Sequence, residues 1–270
     1  MFIDSHAHLS GGSFSDEEVD SVLKRAEDAH VVSVINICTT VQDLQRALML
    51  HARYPWVVNT AATTPQDVLS ESEETFQFFQ EHAKNGSLVA IGETGLDYYF
   101  TEETKELQSQ VFIRYLHLAL ECHLPVVIHC RNAFQDLFQI LDTEYIQNGS
   151  VAPFILHCFT GNVEDAENVL KRGGYLSFSG IVTFKKSEGL KSIAAIAPLE
   201  QMLIETDSPY LAPLSKRGKI NEPSLLPEIA ACIAELKGIS VEDVARSTSL
   251  NANMLFGSSI SSQRCQKREF

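Results

Sequence analysis

Short apolar, β-branched runs alternate with amphipathic stretches along almost the whole 270-residue chain. The runs predict strands near 2–7, 31–37, 56–61, 88–93, 125–130, 153–158, 174–179 and 201–206. Helical patterns lie near 16–29, 41–53, 70–84, 104–122, 132–142, 162–171, 187–196, 224–236 and 241–255. Eight strand-then-helix units predict a parallel sheet with right-handed crossovers. At this length we predict an α/β protein with a closed (β/α)8 TIM barrel as a single domain.

The alternative fold is an open, doubly wound sheet. Such a sheet carries a glycine-rich phosphate turn after its first strand, whereas Gly11 and Gly12 come too late and lack the spacing. We assign residues 1–257 to the barrel and 258–270 to a polar C-terminal tail. Two sequence pairs, Ser15 with Glu18 and Ser240 with Asp243, predict capping boxes at helix starts.

Charge and cysteine content narrow the class of protein. A formal net charge of −14 argues against a broad basic surface that would grip duplex DNA. Six scattered cysteines without a C-x-x-C pair do not form a disulfide framework. No apolar stretch is long enough to cross a bilayer, and no signal peptide is visible, so we predict a cytoplasmic protein without membrane partners. No heptad pattern is visible, which makes a monomer the default expectation.

Polar residues of the metal-ligand type stand at the predicted carboxyl ends of the strands. In DSHAH, strict alternation would put Asp4, His6 and His8 on one face of the first strand. A barrel gathers its strand ends at one mouth, where the active site of such folds lies. The residues that this gathering would bring together are His6, His8, Glu93, His129, His157 and Asp207.

Each of these residues has an ordinary structural interpretation when it is considered alone. A single strand-end histidine is usually a hydrogen-bonded loop or core residue, Glu93 could accept amides of a glycine turn, and Asp207 could cap one. Their joint placement favours metal binding, because buried charges and imidazoles would otherwise lack partners. Four histidines and two carboxylates exceed the needs of one tetrahedral ion, so two ions bridged by Glu93 are plausible. No lysine ends these strands to serve as the other common bridge.

The motifs DSHAH, GETGLD, VIHCR, LHCFTG and ETDSPYLAP occur in this order. In order and spacing they resemble those of the TatD family of metal-dependent deoxyribonucleases, within the amidohydrolase superfamily. The resemblance runs from residue 2 to about 257. It implies one ion held by His6, His8, Glu93 and Asp207, and a second held by Glu93, His129 and His157. The family's activity is 3′–5′ exonuclease hydrolysis of DNA.

Several further residues are candidates for substrate contacts. KRGKINEP resembles the family's loop after the eighth strand, and its Arg217 and Lys219 could bind phosphate instead of forming a solvated basic loop. Arg131 could also bind phosphate, or form an ordinary salt bridge. The side chains of Tyr98, Tyr99 and Phe100 could stack on a base or pack at the barrel rim. Cys130 and Cys158 are expected to be core residues, because alternation turns them away from the mouth.

One segment departs from the family pattern. After the third strand the family has G-x-H-P, whereas this chain has A-A-T-T-P. Ala62 replaces the glycine and Thr64 the histidine, while Gln66 stands where many members have a second histidine. The departure leaves the six predicted ligands intact, but it bears on rate and on substrate preference.

The leading hypothesis is a nuclease that trims single-stranded DNA with two divalent ions, magnesium, manganese or zinc. Such ions lower the pKa of water and hold phosphate oxygens. Glu93 and Asp207 are the predicted catalytic residues, with Asp207 also taking a proton, and Asp4 and Asp97 are predicted to support the ligands. One alternative is hydrolysis of another small ester, amide or phosphate. Another is a binding module that kept the metal site without catalysis.

Overall fold

Eight parallel strands form one sheet in the computed structural model, which describes residues 1–100, 102–146 and 153–257. Each strand pairs with the next one along the chain, from β1 through β8. Their bounds are β1 Phe2–Ala7, β2 Val31–Cys38, β3 Val57–Ala61, β4 Leu88–Asp97, β5 Val126–Arg131, β6 Phe154–Leu156, β7 Tyr175–Phe178 and β8 Met202–Ile204. All eight predicted strands are confirmed.

Helices follow the strands and cover the outside of the sheet. They are α1 Asp16–Asp28, α2 Val41–Arg53, α3 Glu73–Lys84, α4 Lys105–Cys122, α5 Phe134–Ile140, α6 Val163–Lys171, α7 Glu188–Ile196, α8 Leu226–Lys237 and α9 Val241–Phe256. Helix α3 begins later than predicted, because Pro65–Ser70 forms a separate 3-10 segment and the hydroxyl of Ser72 caps the helix itself. Helix α5 continues as a π-helical turn over Leu141–Tyr145. The predicted polar tail, 258–270, lies outside the described residues.

The predicted helix caps are confirmed in one case and half confirmed in the other. At α1 the Ser15 hydroxyl accepts from the N–H of Glu18, and the Glu18 carboxylate accepts from the N–H of Ser15. At α9 the Ser240 hydroxyl accepts from the N–H of Asp243. Ser240 then donates that hydroxyl to the Asp243 carboxylate, which replaces the reciprocal backbone bond of a capping box.

The sheet closes between its first and last strands. The N–H of Asp207 donates to the carbonyl of His6 at 2.9 Å, and the N–H of His8 donates to the carbonyl of Ser208 at 2.7 Å. Two predicted ligand segments are therefore joined by backbone bonds at the mouth. The closed barrel is confirmed, and the open doubly wound sheet is wrong.

Two apolar cores flank the strands. The larger one lies between the sheet and the surrounding helices. The smaller one takes residues from seven different strands, which only the barrel interior can bring together, and it includes Leu255 and Phe256 of α9. Helix α9 thus packs on the amino-terminal end of the barrel, opposite the mouth.

Two irregularities in strand pairing decide which side chains enter the barrel. Ile3 belongs to the interior core, so strict alternation would turn His6, three residues later, outward. The pairing of β1 with β2 shifts between Asp4 and Ala7, and His6 faces inward. On β4 a similar shift between Ile91 and Thr94 separates the interior Ala90 from Glu93. Such local bulges re-aim a side chain that regular alternation would misplace.

Candidate metal centre

His6 on β1 and His8, which directly follows it, face two carboxylates. Their Nε2 atoms lie 3.2 Å apart. Oε2 of Glu93 is 3.3 Å from His6 Nε2 and 3.7 Å from His8 Nε2. Oδ1 of Asp207 is 3.7 Å from His6 Nε2 and 3.5 Å from His8 Nε2. Donors bound about 2.0–2.1 Å from a tetrahedral ion lie about 3.3–3.4 Å from one another, so this set fits one divalent ion.

The other oxygen of Glu93 faces the second pair of histidines. Oε1 lies 2.9 Å from Nδ1 of His129 and 2.8 Å from Nε2 of His157. Those two nitrogens are 3.3 Å apart. One carboxylate therefore offers a different oxygen to each pair of imidazoles, which is the arrangement needed to bridge two ions. The structure brings all six predicted ligands together, and their assignment to two ions stays a prediction.

Two glycines allow Glu93 to reach this position. Gly92 and Gly95 have φ values of +146° and +144°, a region that favours glycine. A Cβ on Gly92 would lie 2.6 Å from the carbonyl oxygen of Val127, and one on Gly95 would lie 2.0 Å from that of His129. Glycine at both positions lets β4 approach β5 closely. Among the described residues, the polar contacts of the Glu93 side chain are with imidazoles, and none is with a turn amide.

Asp97 holds the ring of His129 from behind. Its Oδ2 lies 3.0 Å from His129 Nε2 and accepts from the side-chain amide of Gln66 at 2.8 Å. Its Oδ1 accepts from the N–H groups of Tyr99 and Phe100 at 2.9 and 3.0 Å. A carboxylate on one imidazole nitrogen fixes the proton there and leaves the other nitrogen for a metal. Gln66, in the segment that departs from the family pattern, is thus part of this support.

One supporting carboxylate, Glu205, is not among the residues predicted from the sequence. It is fully buried, and its Oε1 lies 3.4 Å from Nδ1 of His157 and accepts from the N–H of Cys158 at 2.7 Å. Among the described residues its Oε2 has no hydrogen-bond partner. The available signal was its spacing, because Glu205 and Asp207 are two residues apart and alternation puts them on one face.

Asp4 does not share the face of the two histidines, and the predicted alternation is wrong there because of the shift in β1. Its carboxylate accepts from the N–H and hydroxyl of Thr206, at 2.9 and 2.6 Å, and from the N–H of His6 at 3.3 Å. These bonds join β1 to the segment that carries Asp207. Burial raises the pKa of Asp4 to about 7, against the effect of these hydrogen bonds.

The buried carboxylates and imidazoles of the cluster shift one another's pKa values. Burial opposes charge on Glu93, yet contact with His157 and His129 holds its pKa well below the usual value. Burial likewise opposes charge on His157, but the carboxylates of Glu93 and Glu205 hold its pKa well above the usual value. The rings of His6 and His157 stack with centroids 3.9 Å apart, and burial together with the charge on His157 lowers the pKa of His6. Divalent ions fit this donor set, because buried carboxylates and imidazoles are the ligands that they prefer.

The predicted substrate residues fall in different environments. The guanidinium of Arg131 lies over the ring of Tyr99, and that of Arg217 lies over the ring of Phe184, at 3.7 and 4.8 Å from the centroids. Lys219 is exposed. Tyr98 is partly buried against the core and donates its hydroxyl to Asp136, so the exposed rings are those of its two neighbours.

The expected core cysteines differ from each other. Cys130 belongs to the outer core as predicted. Cys158 does not, because it has a φ of +43° and its thiol lies 3.2 Å from the hydroxyl of Ser179. Burial and the nearby charges of Asp207 and Glu205 raise its pKa. The prediction for Cys158 is wrong, because the chain leaves the strand after β6 and alternation no longer applies.

The departing segment after β3 packs closely. Ala62 is fully buried, and the hydroxyl of Thr64 donates to the carboxylate of Asp67 at 3.0 Å. Thr64 therefore bonds within the local 3-10 segment, while the side-chain amide of Gln66 lies 3.4 Å from Nε2 of His129.

Comparison with known proteins places this centre in a family. The sequence profile described as TatD related DNase matches residues 3–257. This chain belongs to the TatD-related DNase family. It is 38% identical over 259 residues to the uncharacterized metal-dependent hydrolase YcfH of Escherichia coli strain K12, covering 95% of this chain and 96% of that protein. The family assignment confirms the resemblance seen in the sequence motifs.

Two further TatD relatives extend the comparison. The 3′-5′ ssDNA/RNA exonuclease TatD of Erwinia amylovora is 34% identical over 262 residues, covering 94% of this chain and 99% of its own. The crystal structure of YjjV, a TatD homologue from Escherichia coli K12, superimposes with a TM-score of 0.87 at 26% identity, covering 94% of this chain and 97% of that one. This chain is a metal-dependent hydrolase of the TatD family. Across residues 1–100, 102–146 and 153–257, no helix has the length and hydropathy needed to span a membrane.

Proposed function

We propose that this protein hydrolyses phosphodiester bonds of single-stranded DNA from the 3′ end, with two divalent ions. The proposal rests on the two carboxylate oxygens of Glu93. Oε2 faces His6 and His8, while Oε1 faces His129 and His157. Bound there, two divalent ions would lower the pKa of water and neutralise phosphate charge.

Asp207 has two roles in this proposal. Its Oδ1 faces the first histidine pair, which leaves the other oxygen to accept a proton from the attacking water. Asp97 and Glu205 hold the rings of His129 and His157 in the orientation that presents Nδ1 and Nε2 to the mouth. The proton therefore moves to a carboxylate already fixed beside the reacting centre.

The distribution of cations supports an anionic substrate despite the net charge of −14. More than half of the lysines and arginines in the described part of the chain pair with carboxylates, as Arg25 does with Glu222, and Lys237 donates to backbone carbonyls. Within the described ranges, every other basic side chain without a carboxylate partner lies at or after the carboxyl end of a strand. These are Lys105, Arg131, Lys185, Lys186, Lys216, Arg217 and Lys219. Cations without a direct carboxylate partner, in the segments that follow the strands, attract phosphate.

A relative's name supports the choice of nucleic acid. The matched protein of Erwinia amylovora is named as an exonuclease for single-stranded DNA and RNA. A narrow barrel mouth also accepts a single strand more readily than a duplex. The proposed location is the cytoplasm and the proposed state is a monomer.

The test is mononucleotide release from a single-stranded DNA oligomer by metal-stripped protein reloaded separately with magnesium, manganese and zinc. Labels at the 3′ and 5′ ends report polarity, and His129→Ala is the control. We expect metal-dependent release from the 3′ end that the variant loses. Release without metal, or equal release by His129→Ala, would contradict the proposal.

A second candidate is hydrolysis of another small ester, amide or phosphate at the same centre. It is favoured by the name of the E. coli relative at 38% identity, which states only a metal-dependent hydrolase, and by Gln66 at a position where many family members have histidine. Metal-dependent hydrolysis of a small diester without release from DNA would select this candidate.

A further inference from the structure

We infer that Arg131, Tyr99 and Phe100 form a subsite for one nucleotide of a single-stranded substrate, beside the metal centre. This subsite rests on the proposed function and adds to it a specific contact for base and phosphate. The Arg131 guanidinium carbon lies 3.7 Å from the centroid of Tyr99 and 4.7 Å from that of Phe100. Three neighbouring side chains thus combine a cation with two aromatic faces.

The two rings are available to a ligand. Tyr99 is 57% exposed and Phe100 is 61% exposed, which is unusual for side chains of this size. Their rings meet edge to face with centroids 4.7 Å apart. Nucleobases stack on exposed aromatic rings irrespective of sequence, and an adjacent guanidinium strengthens the contact.

The guanidinium of Arg131 has no carboxylate partner in the described part of the chain. The comparable stack of Arg114 on Phe76, at 3.6 Å, lies between α3 and α4 and also pairs with Glu73. Arg131 keeps its N–H donors for an external anion, and stacking restricts its rotamers in advance. A phosphate is the anion that its planar fork recognises best.

Asp97 ties this subsite to the predicted ligand His129. One of its oxygens lies 3.0 Å from His129 Nε2, while the other accepts the N–H groups of Tyr99 and Phe100. Arg131 follows His129 by two residues on β5, so its Cα lies about 6.6 Å further along the strand. Strand alternation also puts the side chains of Arg131 and His129 on the same face of β5. The subsite therefore suits a nucleotide next to the one being released.

The first test compares kcat and KM of metal-loaded Tyr99→Ala, Phe100→Ala and Arg131→Lys on a single-stranded oligomer. We expect KM to rise about 5- to 50-fold with kcat within about twofold, since stacking contributes to binding and not to the chemical step. Hydrolysis of methyl p-nitrophenyl phosphate, which has no base, should stay unchanged in Tyr99→Ala and Phe100→Ala. Arg114→Lys, which alters the stack on the flank of the barrel, should leave both parameters unchanged.

The second test walks a single abasic residue along the oligomer. When the abasic residue is at one particular position, the strand should bind wild type more weakly. With that strand, wild type and Tyr99→Ala should have the same KM. If Tyr99→Ala and Phe100→Ala keep the same deficit at every position, or lose as much activity on the small diester as on the oligomer, the subsite is wrong.

Binding separates this inference from the proposed function. Fluorescence anisotropy with a labelled strand carrying phosphorothioate linkages measures affinity without turnover. A wild type that binds this strand more tightly than Tyr99→Ala, but releases no nucleotide from ordinary DNA, would overturn the proposed function and support the subsite. Nucleotide release by wild type, with an equal KM in all variants, would support the proposed function and overturn the subsite.

Discussion

The carboxylate of Glu205 lies against the imidazole of His157, with Oε1 3.4 Å from Nδ1. The same oxygen accepts a hydrogen bond from the N–H of Cys158 at 2.7 Å, so the backbone fixes the position of the carboxylate beside the ring. His157 then turns Nε2 toward Glu93, 2.8 Å from Oε1. A chain of contacts runs from a fully buried acid through an imidazole to the carboxylate that faces both histidine pairs.

Replacing Glu205 with Gln keeps an oxygen for the N–H of Cys158 but removes the charge behind His157. We expect the affinity for the ion at His129 and His157 to fall about 10- to 100-fold, because partners behind metal-bound histidines tune their basicity. Competition with a chromophoric chelator measures this affinity. Glu71→Gln, which changes a half-buried acid bonded to Thr63 and Tyr115, is the control. Equal metal affinity in wild type and Glu205→Gln would contradict the prediction.

Replacing Asp207 with Asn should lower kcat about 10²- to 10⁴-fold, because the amide cannot accept a proton from water. The backbone bond from Asp207 to His6 stays intact, so the far-UV circular dichroism and the melting temperature of the barrel should change little. Steady-state kinetics on single-stranded DNA measure the loss. If the turnover of Asp207→Asn were close to that of wild type, Asp207 would not be the base.

Gln66 contributes through its amide on Asp97, at 2.8 Å. Gln66→Ala removes that donor and should lower kcat/KM about 3- to 10-fold, consistent with the loss of a typical hydrogen bond of about 0.5–1.5 kcal/mol. Gln66→Glu places a second carboxylate beside Asp97, so a larger loss is expected. Gln77→Ala, which removes an amide bonded to Glu73 on an outer helix, is the matched control. If Gln66→Glu were as active as wild type, the predicted support of His129 would be wrong.

The ion pair between Arg25 and Glu222 predicts a pH-dependent contribution to stability. Burial alone would raise the pKa of Glu222, but hydrogen bonds from Arg25, at 2.6–3.0 Å, lower it below its usual value. The contribution of this ion pair to the free energy of unfolding is therefore complete above about pH 4.5, and it disappears as the pH falls through the lowered pKa of Glu222. Arg25→Gln should cost about 0.5–1 kcal/mol at pH 7, since the arginine is half exposed.

Urea unfolding at pH 7 and pH 4 measures this effect. The free-energy difference between wild type and Arg25→Gln should narrow at the lower pH. Lys24→Gln breaks the neighbouring exposed pair with Asp28 and should change stability little at either pH. A difference that grows on acidification would show that the sign is wrong.

Much of the fold follows from local pattern. The alternation of apolar strands and amphipathic helices predicts the barrel. Parallel strands need a crossover helix between them, and eight such strands close into a barrel. His129 lies on β5 and His157 directly follows β6, so strand direction alone places both at the mouth. For Ser15 with Glu18, both partners of the cap are local in sequence, and the prediction holds.

Other positions could not be predicted from local pattern. Asp4 was misplaced because the shift in β1 depends on how β1 pairs with β2, which is a contact between distant segments. Cys158 was misplaced because β6 ends at Leu156 and the chain turns toward the mouth. Glu205 was missed because its partner, His157, lies far away in sequence and on another strand.

The sequence by itself determined the barrel and the set of residues at its mouth, because strand period and strand direction are encoded in short stretches of chain. Only the tertiary structure decided which oxygen of Glu93 meets which histidine pair, which carboxylates stand behind the rings, and which cations remain unpaired. Those relationships join residues from different strands at distances of about 3 Å. Bulges, close contacts at glycines and the pairing of distant charges set these distances. The distances become defined only when the sheet closes.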